Sequence, residues 1–311
     1  MEALNQQFRT HIERAYKPPP FPTIFQKRNP QPDPERVRQF APASNTKVRE
    51  SLGYSVSSFR DLVGCVSQLA SNNPQFNLYY RGQVQDYKDQ KGRSKIYPSL
   101  YRPKSGQSRL LRPTIQRRID AMKTAIDSMR EGHRELGLPD SVLSHHDEYY
   151  QALLQHYEVQ ATPLVDVTVS LRVAASFALA DDAEEGFLYV LDLPLPTGSI
   201  SHFVDANIVL VRLQSVCPAV ALRPHYQEGY LVGQLRCKAE RLVGDNLAKR
   251  LIGKYRLENP NGAFWDKDFS PIPRNALLPE PDPFGRTLRD TLADLVEPHP
   301  RFTDKQTDGT L

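Results

Sequence analysis

Four short stretches of this 311-residue chain hold side chains able to do chemistry. The first is Tyr80-Arg81-Gly82-Gln83, in which a guanidinium follows directly on an apolar run. A charge entering a fold at that point needs a partner. The partner is either an anionic ligand, whose oxygens match the guanidinium fork, or a carboxylate of the chain such as Asp166. The second is Leu154-Gln155-His156-Tyr157, expected at a helix end, where the helix dipole favours an imidazolium. The third is Thr168-Val169-Ser170, with Ser170 at an expected helix start. Its hydroxyl either caps the helix, which is worth about 1 kcal/mol, or joins an anion site there. The fourth is Gln227-Glu228, an amide and a carboxylate before Gly229, readable as a plain exposed turn.

Other chemistries are poorly served. His145-His146-Asp147-Glu148 is rich in ligand types, but neighbours on a helix point apart and no i, i+4 histidine pair is present, so no metal is expected. A G-x-S-x-G elbow and a phosphate-binding Walker loop are absent from the sequence. The cysteines, Cys65, Cys217 and Cys237, are odd in number and widely spaced. That excludes a disulfide scaffold and a four-cysteine zinc site, and fits reduced thiols in a cytoplasm. Lys+Arg 40 against Asp+Glu 36 gives +4, too mild to demand nucleic acid. The basic stretch from Arg102 to Arg118 either contacts RNA, DNA or an acidic protein, or is a solvated surface. No apolar run approaches the ~18 residues of a membrane helix, and the polar N-terminus lacks an apolar signal region. A cytoplasmic protein without membrane contact is expected.

These residues need elements to hold them. Residues 17–45 carry eight prolines in 29 positions and no sustained apolar period. An extended arm is expected there, preceded by a short helix over 1–16. Its role is that of a tether or of a polyproline segment for a partner. The organisation is therefore 1–50 helix and arm, 51–298 globular domain, and 299–311 disordered tail. Ser57 or Ser58 caps a helix bearing Phe59, Leu62, Val66 and Leu69 at helical spacing. Pro113 opens a second helix, striped by Ile115, Ile119, Met122, Ile126 and Met129. Further helices are expected over 140–157, 170–179, 245–257 and 285–296. Strands are expected around 76–82, 164–168, 187–193, 208–213, 219–222 and 230–232. Helices come mostly before strands, which reads as α+β.

Five stretches carry a family resemblance. Tyr80-Arg81-Gly82-Gln83 resembles the (F/Y)RGQ signature of the FRG domain, and Pro98-Ser99-Leu100-Tyr101-Arg102 resembles its PSLxR segment. His156-Tyr157 followed by Thr162, Leu164, Asp166, Thr168, Ser170, Ala174, Phe177 and Ala178 resembles its HYGxPTRLLDWTxSPxxAxxFA block. Arg223 to Gly229 and Leu277 to Leu288 are similar to its later turn and closing segment. The chain departs from that pattern at Glu158 (family glycine), Pro163 (arginine) and Val167 (tryptophan), and has one inserted residue between His156 and Asp166. A more distant resemblance is to ADP-ribosyltransferases of the arginine–serine–glutamate type. It runs through Arg81-Gly82, Thr168-Val169-Ser170 with Ala174 to Ala178, Phe187 to Asp192, and Gln227-Glu228.

That second resemblance implies an ADP-ribosyltransferase-like split antiparallel β-sandwich with flanking helices. It implies NAD as substrate and an acceptor that is a protein or nucleic acid, in toxin-like or phage-defence-like use, with an antidote protein as a further partner. The roles implied are Arg81, Gly82 and Gln83 at the diphosphate, Thr168 and Ser170 at ribose or phosphate, and His156 and Tyr157 at ribose or nicotinamide. Glu228, with Gln227 beside it, is the implied catalytic acid, since a carboxylate stabilises an oxocarbenium-like transition state. Arg81, Ser170 and Glu228 are expected to converge in one cleft. NAD glycohydrolysis, a non-catalytic nucleotide- or protein-binding module, and nucleic-acid binding through 102–118 stand as alternatives.

Overall fold

The computed structural model of the chain describes residues 24–27, 40–103, 110–235 and 246–295. The expected helix over 1–16, the tail from 299, most of the arm, Cys237 and part of the basic stretch lie outside the described residues. Within the arm, strands β1 (Ile24–Lys27) and β2 (Phe40–Ala43) pair antiparallel, so these pieces are extended, as proline-rich chain favours, but are not single. A short helix α1 (Asn45–Glu50) follows, capped by the Ser44 hydroxyl, then β3 (Tyr54–Val56). Helix α2 (Phe59–Asn72) starts at Ser58, whose side chain accepts the Asp61 N–H; it buries Phe59, Leu62, Cys65, Val66 and Leu69 on one stripe. Strand β4 (Leu78–Gln83) leads to α3 (Arg112–Glu131), with Pro113 in its first turn, and α4 (Asp147–His156). Then come β5 (Leu164–Thr168), α5 (Leu171–Ala178), β6 (Glu185–Asp192), β7 (Ile200–Phe203) and β8 (Ile208–Arg212). The chain continues through α6 (Leu213–Val216), α7 (Arg223–Gln227), β9 (Gly229–Gly233), β10 (Leu251–Glu258), α8 (Arg274–Leu277) and α9 (Pro283–Thr291).

Eight strands form one sheet in the order β3-β10-β6-β4-β5-β9-β8-β7, antiparallel except for β10 beside β3. The fold is α+β, with helices packed on both faces. Along β8, Ile208 and Leu210 enter one core while Val209 and Val211 enter the other, so the period-2 alternation of a strand feeds two layers. The first core gathers α2, α5, β6 and β10; the second gathers α3, α4 and α9 against β8 and β9.

The expected pair of separate packed sheets is replaced by this continuous sheet. Its two four-stranded halves meet at a single residue pair, Tyr80 opposite Thr168, whereas β4 runs beside β6 over six pairs. Two element expectations are also corrected. Residues 251–258 form strand β10, not a helix; it is buried on both faces, so its apolar residues do not alternate and Lys254 and Arg256 imitate a helix surface. Residues 219–222 form no strand; they lead into α7, whose second residue is Pro224.

Candidate functional site

The seam between β4 and β5 opens into a cleft of about 120 Å³. Strand β4 delivers Tyr80 and Arg81; β5 delivers Asp166 and Thr168; the end of α4 delivers His156 and Glu158. Arg223 and Gln227 from α7 close the far side, and Phe177 of α5 supplies an apolar wall. The two strands pair only at Tyr80–Thr168, and the cleft lies beside that pair.

Arg81 is buried and donates from a terminal nitrogen to the main-chain oxygen of Asp166, 2.5 Å away. The Asp166 carboxylate is fixed separately: Oδ2 accepts from Gln155 Nε2 at 2.9 Å, and Oδ1 lies 3.6 Å from His156 Nδ1. Gln155 is itself held, its Oε1 accepting from Thr162 Oγ1 (2.7 Å) and Ser99 Oγ (3.1 Å). This explains why Pro98-Ser99-Leu100-Tyr101-Arg102 sits beside the second motif. The turn is clamped by buried Arg118, which donates to the carbonyls of Ser99, Leu100 and Arg102, and by Arg102 Nε on Tyr97 O. Two arginines of the basic stretch therefore point inward to carbonyls.

The His156 side chain is 1% exposed, yet neither ring nitrogen has a hydrogen-bond partner. Leaving a buried donor unsatisfied costs about 1–3 kcal/mol. Arg223 lies alongside, its guanidinium 5.3 Å over the Tyr157 ring and its Nη1 3.2 Å from the His156 carbonyl; its buried Nε also has no acceptor. Tyr157 donates to Asp282 Oδ2 at 3.0 Å. Burial first, and the Asp282 carboxylate second, push the Tyr157 hydroxyl up from its ordinary value. Burial does the same to Tyr80.

The cleft is lined by Arg81, Gly82, His156, Thr168 and Gln227 among the residues singled out from sequence. It does not collect the whole expected set. Glu228 is exposed: it ends α7 in the left-handed conformation, φ 45°, so its carbonyl turns toward Thr168 Oγ1 while its side chain leaves for solvent. Of Arg81, Ser170 and Glu228, expected to converge, only Arg81 lines this cleft. Ser170 stands at the N-cap of α5, but its hydroxyl makes no capping bond. Thr168 Oγ1 accepts the Ser170 N–H (3.0 Å) and donates to Gln227 O (2.8 Å), tying β5 to the end of α7. Gln227 commits its amide to Leu277 O. Gln83 and Tyr157 do not line the cleft.

Gly82 also meets a packing need. A Cβ there would lie 1.8 Å from Ala174 O, so the glycine admits helix α5 onto the sheet. Sequence reasoning did not single out Arg223, and treated Glu158 only as a departure. Glu158 has φ 53°, a left-handed position that suits glycine, and the residue lines the cleft. The sequence signal for Arg223 was its place in the Arg223 to Gly229 turn.

The fold and cleft define an α+β domain with a buried cationic and carboxylate-bearing seam. Residues 77–186 match the model of the FRG domain, and the chain carries an FRG domain. The match holds Arg81, His156, Asp166 and Thr168, while Arg223, Gln227 and Glu228 lie beyond it. No curated protein and no solved structure matches the chain. Among the described residues, no helix is long and apolar enough to cross a membrane, and no three His, Cys, Asp or Glu side chains group to hold a metal ion.

Proposed function

We propose that the seam cleft binds NAD and that the FRG domain acts as an NAD-dependent ADP-ribosyltransferase on a macromolecule, protein or nucleic acid, as a toxin or defence effector acting in the cytoplasm. The observation that carries this reading is the convergence of Arg81, His156 and Arg223 on one seam cleft. Phosphate and ribose oxygens are the acceptors such a set would take. At about 120 Å³ the cleft takes part of a dinucleotide and not the whole. Bound NAD brings a nicotinamide–ribose bond whose cleavage develops positive charge on the sugar. Glu158 and Asp166 are the carboxylates lining the cleft, and they would stabilise that charge. Glu228, exposed beside the cleft wall, faces an arriving acceptor instead.

Calorimetric titration of the full chain with NAD tests the binding. Saturable binding is expected, weakened about 10- to 100-fold by Arg81→Ala, the loss of a charged double donor. Equal binding by that variant would remove the site assignment. Labelled NAD then tests the transfer, through label on a macromolecule or release of nicotinamide by glycohydrolysis. A second reading, a nucleotide-binding module without transfer, is favoured by the exposed Glu228 and the committed Gln227 amide. Binding without either product would select it.

A further inference from the structure

We propose that a second cavity of this domain, which shares no lining residue with the seam cleft, binds a nucleoside monophosphate. Its volume is about 510 Å³, within the ~300–1,000 Å³ of small-molecule sites. Both halves of the sheet line it. Val165, Ile208 and Val232 come from β5, β8 and β9, and Leu251 and Ile252 from β10. This apolar floor suits the face of a base. Helix α1 and the turn over 247–250 add further walls.

The polar lining is of two kinds. Asn45, Asn207, Gln234 and Asn246 bring four carboxamides, a group that both donates and accepts hydrogen bonds. That mixture matches the edge of a base and the hydroxyls of ribose, whereas an alkyl chain would leave it unmatched. Two of the amides are fixed in place. Asn45 Nδ2 donates to the carbonyls of Ala248 (3.0 Å) and Leu251 (2.8 Å), and Asn246 Oδ1 accepts from the N–H groups of Ile96 (2.8 Å) and Ala248 (3.1 Å). Charge is the second kind. Arg49, Lys249 and Arg250 line the cavity, with Asp192 as the one carboxylate among the described lining residues. Asp192 Oδ1 accepts the Asn77 N–H at 3.1 Å, and Arg49 Nε donates to Ser94 O at 3.0 Å. Arg250 donates to Ala206 O at 3.2 Å, and Lys249 is exposed. The excess of cations selects an anionic head, and phosphate is the anion that a base and ribose carry. Nothing here depends on transfer at the seam.

Calorimetric titration of the full chain with AMP, GMP, CMP and UMP tests the site, in wild type and in Arg81→Ala, which disables the seam. Saturable binding of at least one nucleotide is expected in both. The matching nucleoside, without phosphate, should bind at least about 10-fold more weakly. Lys249→Glu, at an exposed position, should weaken the nucleotide by about 10-fold as well. Absence of saturable binding by all four nucleotides overturns the assignment. So does binding that Arg81→Ala abolishes and Lys249→Glu spares, because the nucleotide then sits in the seam. Saturable binding of decanoate with none of the nucleotides would overturn the base reading. Should Lys249→Glu fail to fold, equal affinity for nucleotide and nucleoside removes the phosphate from the site. A seam that takes no NAD leaves each of these outcomes unchanged.

Discussion

Glu158 shows at the scale of one residue how the site departs from comfortable backbone. Its φ of 53° would be relaxed by glycine, and a non-glycine residue in the left-handed region costs about 1 kcal/mol. Glu158→Gly is therefore expected to raise stability by about 0.5–1 kcal/mol in denaturant unfolding, the freer unfolded glycine offsetting part of the gain. The same change should slow nicotinamide release, because it removes a carboxylate from the cleft. A variant both no more stable and equally active would mean that the acid is held there by other forces. Arg81, Gly82 and Thr168 could be singled out from sequence because a charge or small residue next to an apolar run is conspicuous. Which way Glu228 pointed was not legible, since one left-handed residue reverses a side chain without altering composition.

Among elements, helix α5 packs closely on the sheet at two glycines. A Cβ on Gly82 would meet Ala174 O at 1.8 Å, and one on Gly186 would meet Ala178 O at 2.2 Å. Ala174 and Ala178, one helical turn apart and fully buried, thus lay the helix backbone onto two glycines in neighbouring strands β4 and β6. Gly82→Ala must push helix and strand apart, and backbone contacts give less than side chains. A loss of roughly 3 kcal/mol is expected, seen as a lower melting temperature. It should also weaken NAD binding, because Arg81 is the preceding residue. Gly64→Ala, whose Cβ meets nothing within 4 Å, is the control and should leave stability equal or slightly higher. The helix and its alanines were readable from periodicity. The glycines' reason was not, because it depends on which strand the helix crosses.

Across the whole molecule, one buried ion pair fastens distant parts of the chain. Lys254 of β10, its side chain fully buried, reaches Asp86 after β4, Ser94 Oγ at 2.9 Å and the Ser51 carbonyl after α1. Asp86 also accepts from Tyr189 of β6 at 2.9 Å. Burial draws the Lys254 ammonium down from its ordinary value, with the Asp86 carboxylate acting against it. Removing one partner strands the other charge in the interior, so Lys254→Ala is expected to cost about 3–5 kcal/mol in urea unfolding. A cost below about 1 kcal/mol would show that water reaches Asp86. This lysine also misled the sequence reading: inside an apolar run it looked like the polar face of a helix, and its partner lies 168 residues away.

By itself the sequence determined what local physics encodes: the Ser58 cap, the Pro113 helix start, the stripes of α2 and α3, and most strands of an α+β domain. It also named the residue types that a diphosphate site would use. Only the tertiary structure decided which of them share a space. A continuous sheet joined at one pair opened the seam, brought Arg223 to His156 from 67 residues away, and turned Glu228 outward. Those outcomes follow from long-range strand order and single backbone dihedrals, which residue spacing does not carry.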